Sequence, residues 1–134
     1  MQTFLPYADF DESARVLDRQ RLGKQRVEAW QILNALRGIT AGWSNHPATR
    51  MWRGHEAALV EYGLVICGEW IARGYKDTML DRFLSLRSSD HVSPPWLGDR
   101  DFHLSHQSNL VRKDPAHYAP LFPGVPSDID YVWP

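Results

Sequence analysis

The sequence of 134 residues contains a single cysteine, no long apolar run and no excess of positive charge. One cysteine excludes both an intramolecular disulfide framework and a multi-cysteine zinc site. No stretch approaches the roughly 20 apolar residues that cross a bilayer, and the N-terminus lacks the basic start and apolar core of a secretion signal. We therefore expect a cytoplasmic protein without membrane association.

The familiar catalytic templates are also missing. The sequence has neither a Gly-rich phosphate-binding loop nor a GxSxG nucleophile elbow. Cys67 lies in the apolar run LVICGEWI, where a buried small side chain is expected rather than a reactive thiolate. These absences argue against P-loop nucleotide hydrolysis and thiol catalysis, and no motif indicates a cofactor.

Charge is balanced overall but unevenly distributed. The formal net charge is −1, which gives the whole molecule no general attraction for polyanions. Residues 15–56 nevertheless hold eight Lys/Arg against three Asp/Glu, whereas residues 57–134 hold seven against ten. Any positive potential is therefore local to the first half of the chain.

The apolar residues recur at helical spacing, and alternating strand patterns are nearly absent. With 43% hydrophobic residues and six tryptophans, the chain can bury a substantial core. We predict an all-α, compact single-domain helical bundle over residues 1–134, with Pro-rich loops and an extended C-terminal tail. The predicted helices cover residues 11–37, 48–73, 77–86 and 101–111, with a short turn over 114–118. The proline-containing segment 88–99 is expected to be irregular.

The segment LDRQRLGKQRVEA gathers cations around one carboxylate. On a helical wheel Arg21, Lys24 and Glu28 share a polar face, apart from the core stripe. Arg26 borders that stripe, so we expect it to be partly buried against an acceptor. An exposed i,i+4 pair of Lys24 and Glu28 would explain the pattern without any function. The alternative is a phosphate-binding face around a catalytic acid.

The loop WSNHPATRMWRGHE offers a second set of candidates. His46 precedes a proline at a helix start, where free N–H groups favour anions, and Arg50 and Arg53 follow within the first turns. These three residues are candidate cleft or phosphate contacts, and a capping loop with packed aromatic side chains is the alternative. Trp52 begins an apolar helix face and is expected in the core.

A pair of histidines raises a different possibility. His103 and His106 are three residues apart in FHLSHQS and could present two nitrogens on one helical face, with Asp99 or Asp101 as a third metal ligand. That arrangement would favour a metal-dependent hydrolase. Among six histidines a chance pair at this spacing is unsurprising, so we predict no metal site.

Four segments in order along the chain carry a family resemblance: LDRQRLGKQRVEA, HPATRMW, EWIARGYKDT and SNLVRKDPAHY. Together they resemble the pyrimidine-dimer DNA glycosylase family of small all-helical enzymes, from about Leu17 to Tyr118. The most specific pieces are Gln20, Leu22 and Glu28 on the first helix and the helix end RGYKDT.

The resemblance implies a DNA glycosylase, with or without AP-lyase activity, that acts on a damaged or modified base in double-stranded DNA. It places the family glutamate at Glu28 and the nucleophilic α-amine at Met1, since Gln2 is too bulky for normal removal of the initiator. An ordinary α-amine has a pKa of about 7.7 to 8.0, which leaves a neutral fraction at physiological pH. Lys24, one turn before Glu28, is an alternative Schiff-base amine.

The sequence departs from the family pattern at two places. Val27 stands where the family has an arginine, and the segment before the first helix is longer. Lys113 and Tyr118 lie in the counterpart of a basic and aromatic C-terminal patch, although packing of the tail would also explain them. The candidate DNA contacts are then Arg21, Arg26, His46, Arg50, Arg53, Lys113 and Tyr118. A non-catalytic helical DNA-binding protein is the rival interpretation. We expect a monomer that is nucleoid-associated when bound to DNA.

Overall fold

The computed structural model describes residues 1–89 and 92–134. Within these ranges there are helices and no strands, which confirms the predicted all-α class. None of the described helices is long and apolar enough to cross a membrane. The helices are α1 (Phe10–Val16), α2 (Arg19–Leu36), α3 (Pro47–Arg50), α4 (Glu56–Ala72), α5 (Leu80–Leu84), α6 (Arg100–Lys113) and α7 (Pro115–Tyr118).

The helix predicted over residues 11–37 is in fact two helices. Leu17 has an extended backbone that ends α1, and the Asp18 carboxylate accepts a hydrogen bond from the Arg21 N–H at the start of α2. An aspartate at the N-cap satisfies an otherwise free helix donor, so the chain gains by starting a new helix here. The predicted end is confirmed, because α2 stops at Leu36 and Gly38 follows with a φ of 75°.

The single helix predicted over residues 48–73 was wrong in its first part. A tight turn separates α3 from α4, with the His55 N–H bonded to the Trp52 carbonyl at 2.7 Å. Gly54 in this turn has a φ of 82°, a left-handed conformation that a helix cannot contain. The predicted stop at Gly74 is confirmed, since its φ is 93° and α4 ends at Ala72.

The later elements follow the prediction with shifted ends. Helix α5 is shorter than expected at both ends, and in the turn before it the Asp77 carboxylate accepts hydrogen bonds from the N–H groups of Met79 and Leu80. Helix α6 is slightly longer than expected, and Asp114 caps α7 as predicted. Within the segment expected to be irregular, residues 88, 89 and 92–99 contain no helix, whereas positions 90 and 91 lie outside the described residues.

The core is centred on α2 and α4, which pack against each other, while α1 and α5 pack against α4. Trp52 and Cys67 are fully buried, as predicted. Burial, reinforced by the nearby Asp77 carboxylate, raises the pKa of the Cys67 thiol to about 12, so this cysteine stays protonated and unreactive. The largest fully buried side chains are Trp52, Tyr62, Tyr118, Phe83 and Phe102.

Both chain ends are held against α6 without forming helices. Residues 2–6 are buried although they have no secondary structure. At the other end the predicted extended tail runs past α6, where the hydroxyls of Ser105 and Ser108 accept hydrogen bonds from the N–H groups of Val132 and Ile129. The two ends therefore meet on one side of the molecule.

A close helix contact gives a test of this packing. A Cβ added at Gly63 would lie 2.3 Å from Cε1 of the buried Phe83 ring, whereas a Cβ at Gly68 on the same helix meets nothing within 4 Å. We expect Gly63→Ala to lower the free energy of unfolding by about 1–3 kcal/mol, because overpacking forces α5 away from α4. Gly68→Ala should raise it by up to about 1 kcal/mol through helix propensity. Urea denaturation measures both, and equal effects would contradict the packing.

Candidate active site

The candidate site is built on the buried N-terminal segment, whose backbone N–H groups end on side chains. The N–H of Gln2 donates to Glu28 Oε2 at 3.2 Å, and that of Phe4 donates to Gln25 Oε1 at 2.9 Å. The N–H of Leu5 donates to His106 Nδ1 at 2.9 Å. Buried backbone donors require such partners when no helix or strand supplies them. Helices α2 and α6 thus hold the first residues of the chain.

The carbonyl groups of the same segment are also satisfied by side chains. The Gln2 carbonyl accepts from Gln25 Nε2 at 2.8 Å and the Phe4 carbonyl from the Tyr62 hydroxyl at 2.9 Å. Farther along, the Leu5 carbonyl accepts from His103 Nδ1 and the Pro6 carbonyl from Gln107 Nε2, both at 2.8 Å. Three helices therefore fix the path of the chain that begins at Met1.

This path brings half of the predicted site residues into one cavity of about 310 Å³. Met1, Arg21, Lys24, Glu28 and Lys113 all line it. The polar face predicted on the helical wheel is therefore real, and the first residue of the chain lies beside it. The cavity also includes residues that the sequence interpretation assigned no role: Gln2, Phe4, Gln20 and Tyr131.

Glu28 is the fixed carboxylate of this cavity. Its Oε2 accepts hydrogen bonds from the Gln2 N–H at 3.2 Å and from Gln25 Nε2 at 3.1 Å. Both of these bonds end on the same oxygen, Oε2. Gln2 is 5% exposed, and its side-chain amide faces the Tyr131 hydroxyl. An amide donor at the cavity wall can bind an acceptor on a ligand.

A second and larger groove of about 890 Å³ lies along α2 and shares Gln20, Lys24 and Glu28 with the first cavity. Its wall includes the Trp70 ring, which packs closely against α2 because residue 23 is glycine; a Cβ there would lie 3.1 Å from the ring. Glu28 is therefore accessible from two adjoining concave surfaces. Such a layout suits a substrate that extends along the helix.

His46 lies near the N-terminus but does not leave a free helix start. Its Nδ1 accepts the N–H of Ala48 at 3.0 Å, which fills part of the predicted anion site. The ring packs between Trp43 and Trp133, at centroid distances of 5.6 and 6.2 Å. Burial, followed by the positive charges of the Met1 amine and Arg50, lowers the pKa of His46. The imidazole is therefore neutral near pH 7.

The two arginines of the same loop lie at the surface. Arg50 is exposed, and Arg53, also exposed, donates from Nη2 to the Ser44 carbonyl at 3.0 Å. Neither lines the cavity that contains Glu28. Their charges remain accessible to a large polyanion.

Two of the predicted DNA contacts have structural roles instead. The Arg26 guanidinium pairs with the buried Asp77 carboxylate and lies 4.5 Å from the Trp70 ring centroid. Its predicted partial burial against an acceptor is confirmed, and its charge is neutralised. Burial opposes ionisation of Asp77, but the bonds from Arg26 and from two backbone N–H groups outweigh it and lower the pKa of the carboxyl.

Tyr118 is fully buried and cannot contact DNA in this structure. Its hydroxyl accepts the Asp18 N–H at 2.9 Å and donates to the Asp18 carboxylate. Burial opposes ionisation of Asp18, but the bonds from Tyr118 and Arg21 outweigh it and lower the pKa of the carboxyl. The aromatic residue near the C-terminus that reaches the cavity is Tyr131, a position that the family resemblance did not cover.

The histidine pair considered as metal ligands holds the N-terminal segment instead. His103 donates from Nδ1 to the Leu5 carbonyl and accepts the Gly98 N–H at Nε2, so both nitrogens are engaged. His106 accepts the Leu5 N–H at Nδ1. Among residues 1–89 and 92–134, no group of three or more His, Cys, Asp or Glu side chains is placed to hold a metal ion. The metal-dependent hydrolase loses its supporting pattern.

The fold and the cavity together define the class of protein: a helical protein in which the first residue, a fixed carboxylate and several cations line one concave site, as suits an anionic substrate. Residues 1–83 match the family model described as pyrimidine dimer DNA glycosylase. The chain belongs to this family of DNA repair glycosylases, as the resemblance predicted. No curated protein and no solved structure matches the chain.

The histidine that holds Leu5 gives a pH-dependent test. Burial, followed by the charge of His103, lowers the pKa of His106 to about 3. The unfolded imidazole takes up a proton near pH 6.5 while the folded one does not, so stability falls as the pH falls below about 6.5. His106 alone contributes a slope of about 1.4 kcal/mol per pH unit between pH 6 and 4.5, and His46, whose pKa is also lowered, adds to the slope with and without His106.

The matched variant is His106→Asn, whose side-chain oxygen can still accept the Leu5 N–H but cannot titrate. Chemical denaturation across this pH range measures the free energy of unfolding. Its slope against pH should be smaller in the variant by about 1.4 kcal/mol per pH unit, which corresponds to one proton. Asp18 and Asp77 contribute below about pH 4 in both proteins, because their pKa values are lowered. Identical slopes in the two proteins would contradict the burial of a neutral His106.

Proposed function

We propose that this protein is a glycosylase with AP-lyase activity that uses the α-amine of Met1 on a damaged or modified base in double-stranded DNA. The single observation that supports the proposal is the cavity in which Met1, Glu28 and three side-chain cations meet. The bond from the Gln2 N–H to Glu28 Oε2 fixes the residue next to the amine against the carboxylate. A nucleophile and an acid–base group in one cavity are what covalent catalysis requires.

In the proposed reaction the neutral Met1 amine attacks C1′ of the target nucleotide. The glycosidic C1′–N bond breaks, and the base departs with the bonding pair and takes up a proton. The sugar ring then opens: the nitrogen lone pair forms the C1′=N bond of an imine, the C1′–O4′ bond breaks, and O4′ takes up the proton that the nitrogen gives up. Loss of a proton from C2′ then expels the 3′ phosphate and cuts the strand. Glu28 stabilises the cationic sugar and exchanges protons during the elimination.

Access to C1′ requires the target nucleotide to leave the base stack, at a cost of a few kcal/mol that is smallest for a damaged pair. The larger groove beside Glu28 has room for an extruded nucleotide, and Trp70 gives it an aromatic wall. Arg21, Lys24 and Lys113 are the proposed phosphate contacts inside the cavity, and Arg50, Arg53 and His46 are proposed as further contacts outside it. Arg26 and Tyr118 are not proposed as DNA contacts, because Arg26 is paired with Asp77 and Tyr118 is buried.

Borohydride trapping tests the proposed chemistry. Mixed with an abasic duplex, the wild-type protein should form a covalent adduct, because borohydride reduces the imine. Glu28→Gln should slow turnover by roughly 10²–10⁴-fold and leave the Kd for DNA within a few-fold, since its shape is conserved. A protein whose α-amine is selectively acetylated should form no adduct.

The controls separate the alternatives. Lys24→Ala should still form the adduct. If this variant forms no adduct while the wild-type protein with an acetylated α-amine still does, Lys24 is the nucleophile. A wild-type protein that binds the duplex but forms no adduct would contradict the lyase and favour a non-catalytic DNA-binding protein.

The salt dependence of DNA binding tests the proposed phosphate contacts. Each cation that neutralises a phosphate adds about 0.9 to the slope of log Kd against log salt concentration. Lys24→Gln and Lys113→Gln should each reduce that slope by about 0.9. Arg100→Gln is the matched control, because Arg100 is exposed but does not line the cavity. An equal reduction in all three variants would indicate a diffuse charge effect and contradict the assignment.

A further inference from the structure

We propose that Gln25 is a positioning residue that fixes the Glu28 carboxylate and the N-terminal segment bearing the Met1 amine in one geometry. The inference rests on the proposed function, because it concerns the relative placement of its two reacting groups. Gln25 does not itself line the cavity, and it is 1% exposed. Its influence on the reaction would therefore be indirect.

The side-chain amide of Gln25 makes four hydrogen bonds. Its Oε1 accepts from the Phe4 N–H at 2.9 Å and lies 2.7 Å from the Tyr62 hydroxyl, whose single proton it shares with the Phe4 carbonyl. Its Nε2 donates to the Gln2 carbonyl at 2.8 Å and to Glu28 Oε2 at 3.1 Å. Both hydrogens of the amide nitrogen are thus used, and each has an acceptor that belongs to the site or to the segment leading into it.

The orientation of this amide is determined by its neighbours. On one side stand two donors, the Phe4 N–H and the Tyr62 hydroxyl; on the other stand two acceptors, the Gln2 carbonyl and Glu28 Oε2. A flipped amide would oppose oxygen to oxygen at Glu28 and at Gln2. Only a neutral side chain with one donor end and one acceptor end fits, so neither glutamate nor an apolar residue can replace it without loss.

The arrangement closes a loop of contacts around the proposed nucleophile. Glu28 Oε2 accepts from both the Gln2 N–H and Gln25 Nε2, while Gln25 Nε2 also binds the Gln2 carbonyl. The backbone N–H of Gln2, the residue next to Met1, is therefore bonded to Glu28, and its backbone carbonyl is bonded to Gln25. A shift of Gln25 would move the amine and the carboxylate relative to each other, and misplacement by about 1 Å can cost roughly 100-fold in rate.

A purely structural role is the alternative, and Gln107 supplies the control for it. Gln107 Nε2 also donates to the backbone of the N-terminal segment, at the Pro6 carbonyl, but it lies on α6 and has no bond to Glu28. Gln25→Met and Gln107→Met each remove a side-chain amide that is bonded to the N-terminal segment, and each changes the side-chain volume little. Only the first removes hydrogen bonds to Glu28 Oε2 and to the Gln2 carbonyl, so that Glu28 is left with the single bond from the Gln2 N–H.

The experiment measures the single-turnover rate of borohydride-trapped adduct formation on an abasic duplex at saturating protein, with the Kd for DNA measured separately. We expect Gln25→Met to slow adduct formation by roughly 10–100-fold with a Kd within a few-fold of wild type. Gln107→Met should retain the wild-type rate per folded molecule. Equal rates for Gln25→Met and wild type, or equal slowing by the two variants, would overturn the positioning role.

The pH profile gives a second readout that a merely structural role would not move. Gln25→Glu places a second carboxylate beside Glu28, and two adjacent carboxylates share a proton. The acidic limb of the rate profile should therefore shift to higher pH in this variant, whereas an unshifted limb with a wild-type rate counts against the proposal.

Tyr62→Phe decides the case if the Gln25 variants do not fold, because it removes a single hydroxyl, the one that faces Gln25 Oε1 and the Phe4 carbonyl, and keeps the buried ring. We expect a several-fold slower adduct formation, and a wild-type rate would overturn the proposal. Absence of any adduct with the wild-type protein would overturn the proposed lyase and this inference with it. An adduct with wild type and with unimpaired Gln25 and Tyr62 variants would overturn the inference alone.

Discussion

The structure depends on one constraint: a buried segment without secondary structure must find partners for its backbone. Residues 2–6 are buried in the helical bundle, and no helix or strand of their own satisfies their polar groups. Buried N–H and C=O groups left without partners are costly, so side chains from the surrounding helices must supply them. Helix α2 contributes Gln25 and Glu28, helix α4 contributes Tyr62, and helix α6 contributes His103, His106 and Gln107.

The same hydrogen bonds that allow the segment to be buried also organise the candidate site. Because the Gln2 N–H needs an acceptor, a carboxylate is held next to the first residue of the chain. That carboxylate, also bonded by Gln25, lies in a cavity lined by Lys24, Arg21 and Lys113. Folding and the proposed chemistry thus use one set of contacts. These contacts hold Gln2, and through it they restrict where the proposed nucleophile at Met1 can lie.

Local pattern predicted the parts of the site that lie on one helix. Helical periodicity placed Arg21, Lys24 and Glu28 on a common face. Because Arg26 lies next to the core stripe, the same periodicity predicted that Arg26 would need an acceptor. That acceptor is Asp77, which lies 51 residues along the chain from Arg26. No pattern near Arg26 in the sequence identifies it. The breaks after α1 and after α3 were missed because Asp18 and Gly54 compete with the helix only through cap and turn geometry, which periodicity does not register.

The long-range contacts were beyond sequence reasoning for a related reason. His103 and His106 have the spacing of metal ligands, but their use is decided by Leu5, about a hundred residues earlier. Tyr118 likewise is committed to Asp18, one hundred residues away. Gln25 was assigned no role from the sequence, because its hydrogen bonds depend on where the N-terminal segment lies. A buried polar residue beside a catalytic candidate is the signal that could have found it.

The most direct test of the account is to locate the covalent bond itself. After borohydride reduction of the complex with an abasic duplex, nuclease and protease digestion followed by tandem mass spectrometry identifies the residue that carries the sugar remnant. The account predicts that the remnant lies on the α-nitrogen of Met1. A remnant on the side chain of Lys24 or Lys113 would contradict it, because the buried N-terminal segment would then serve the fold without supplying the nucleophile.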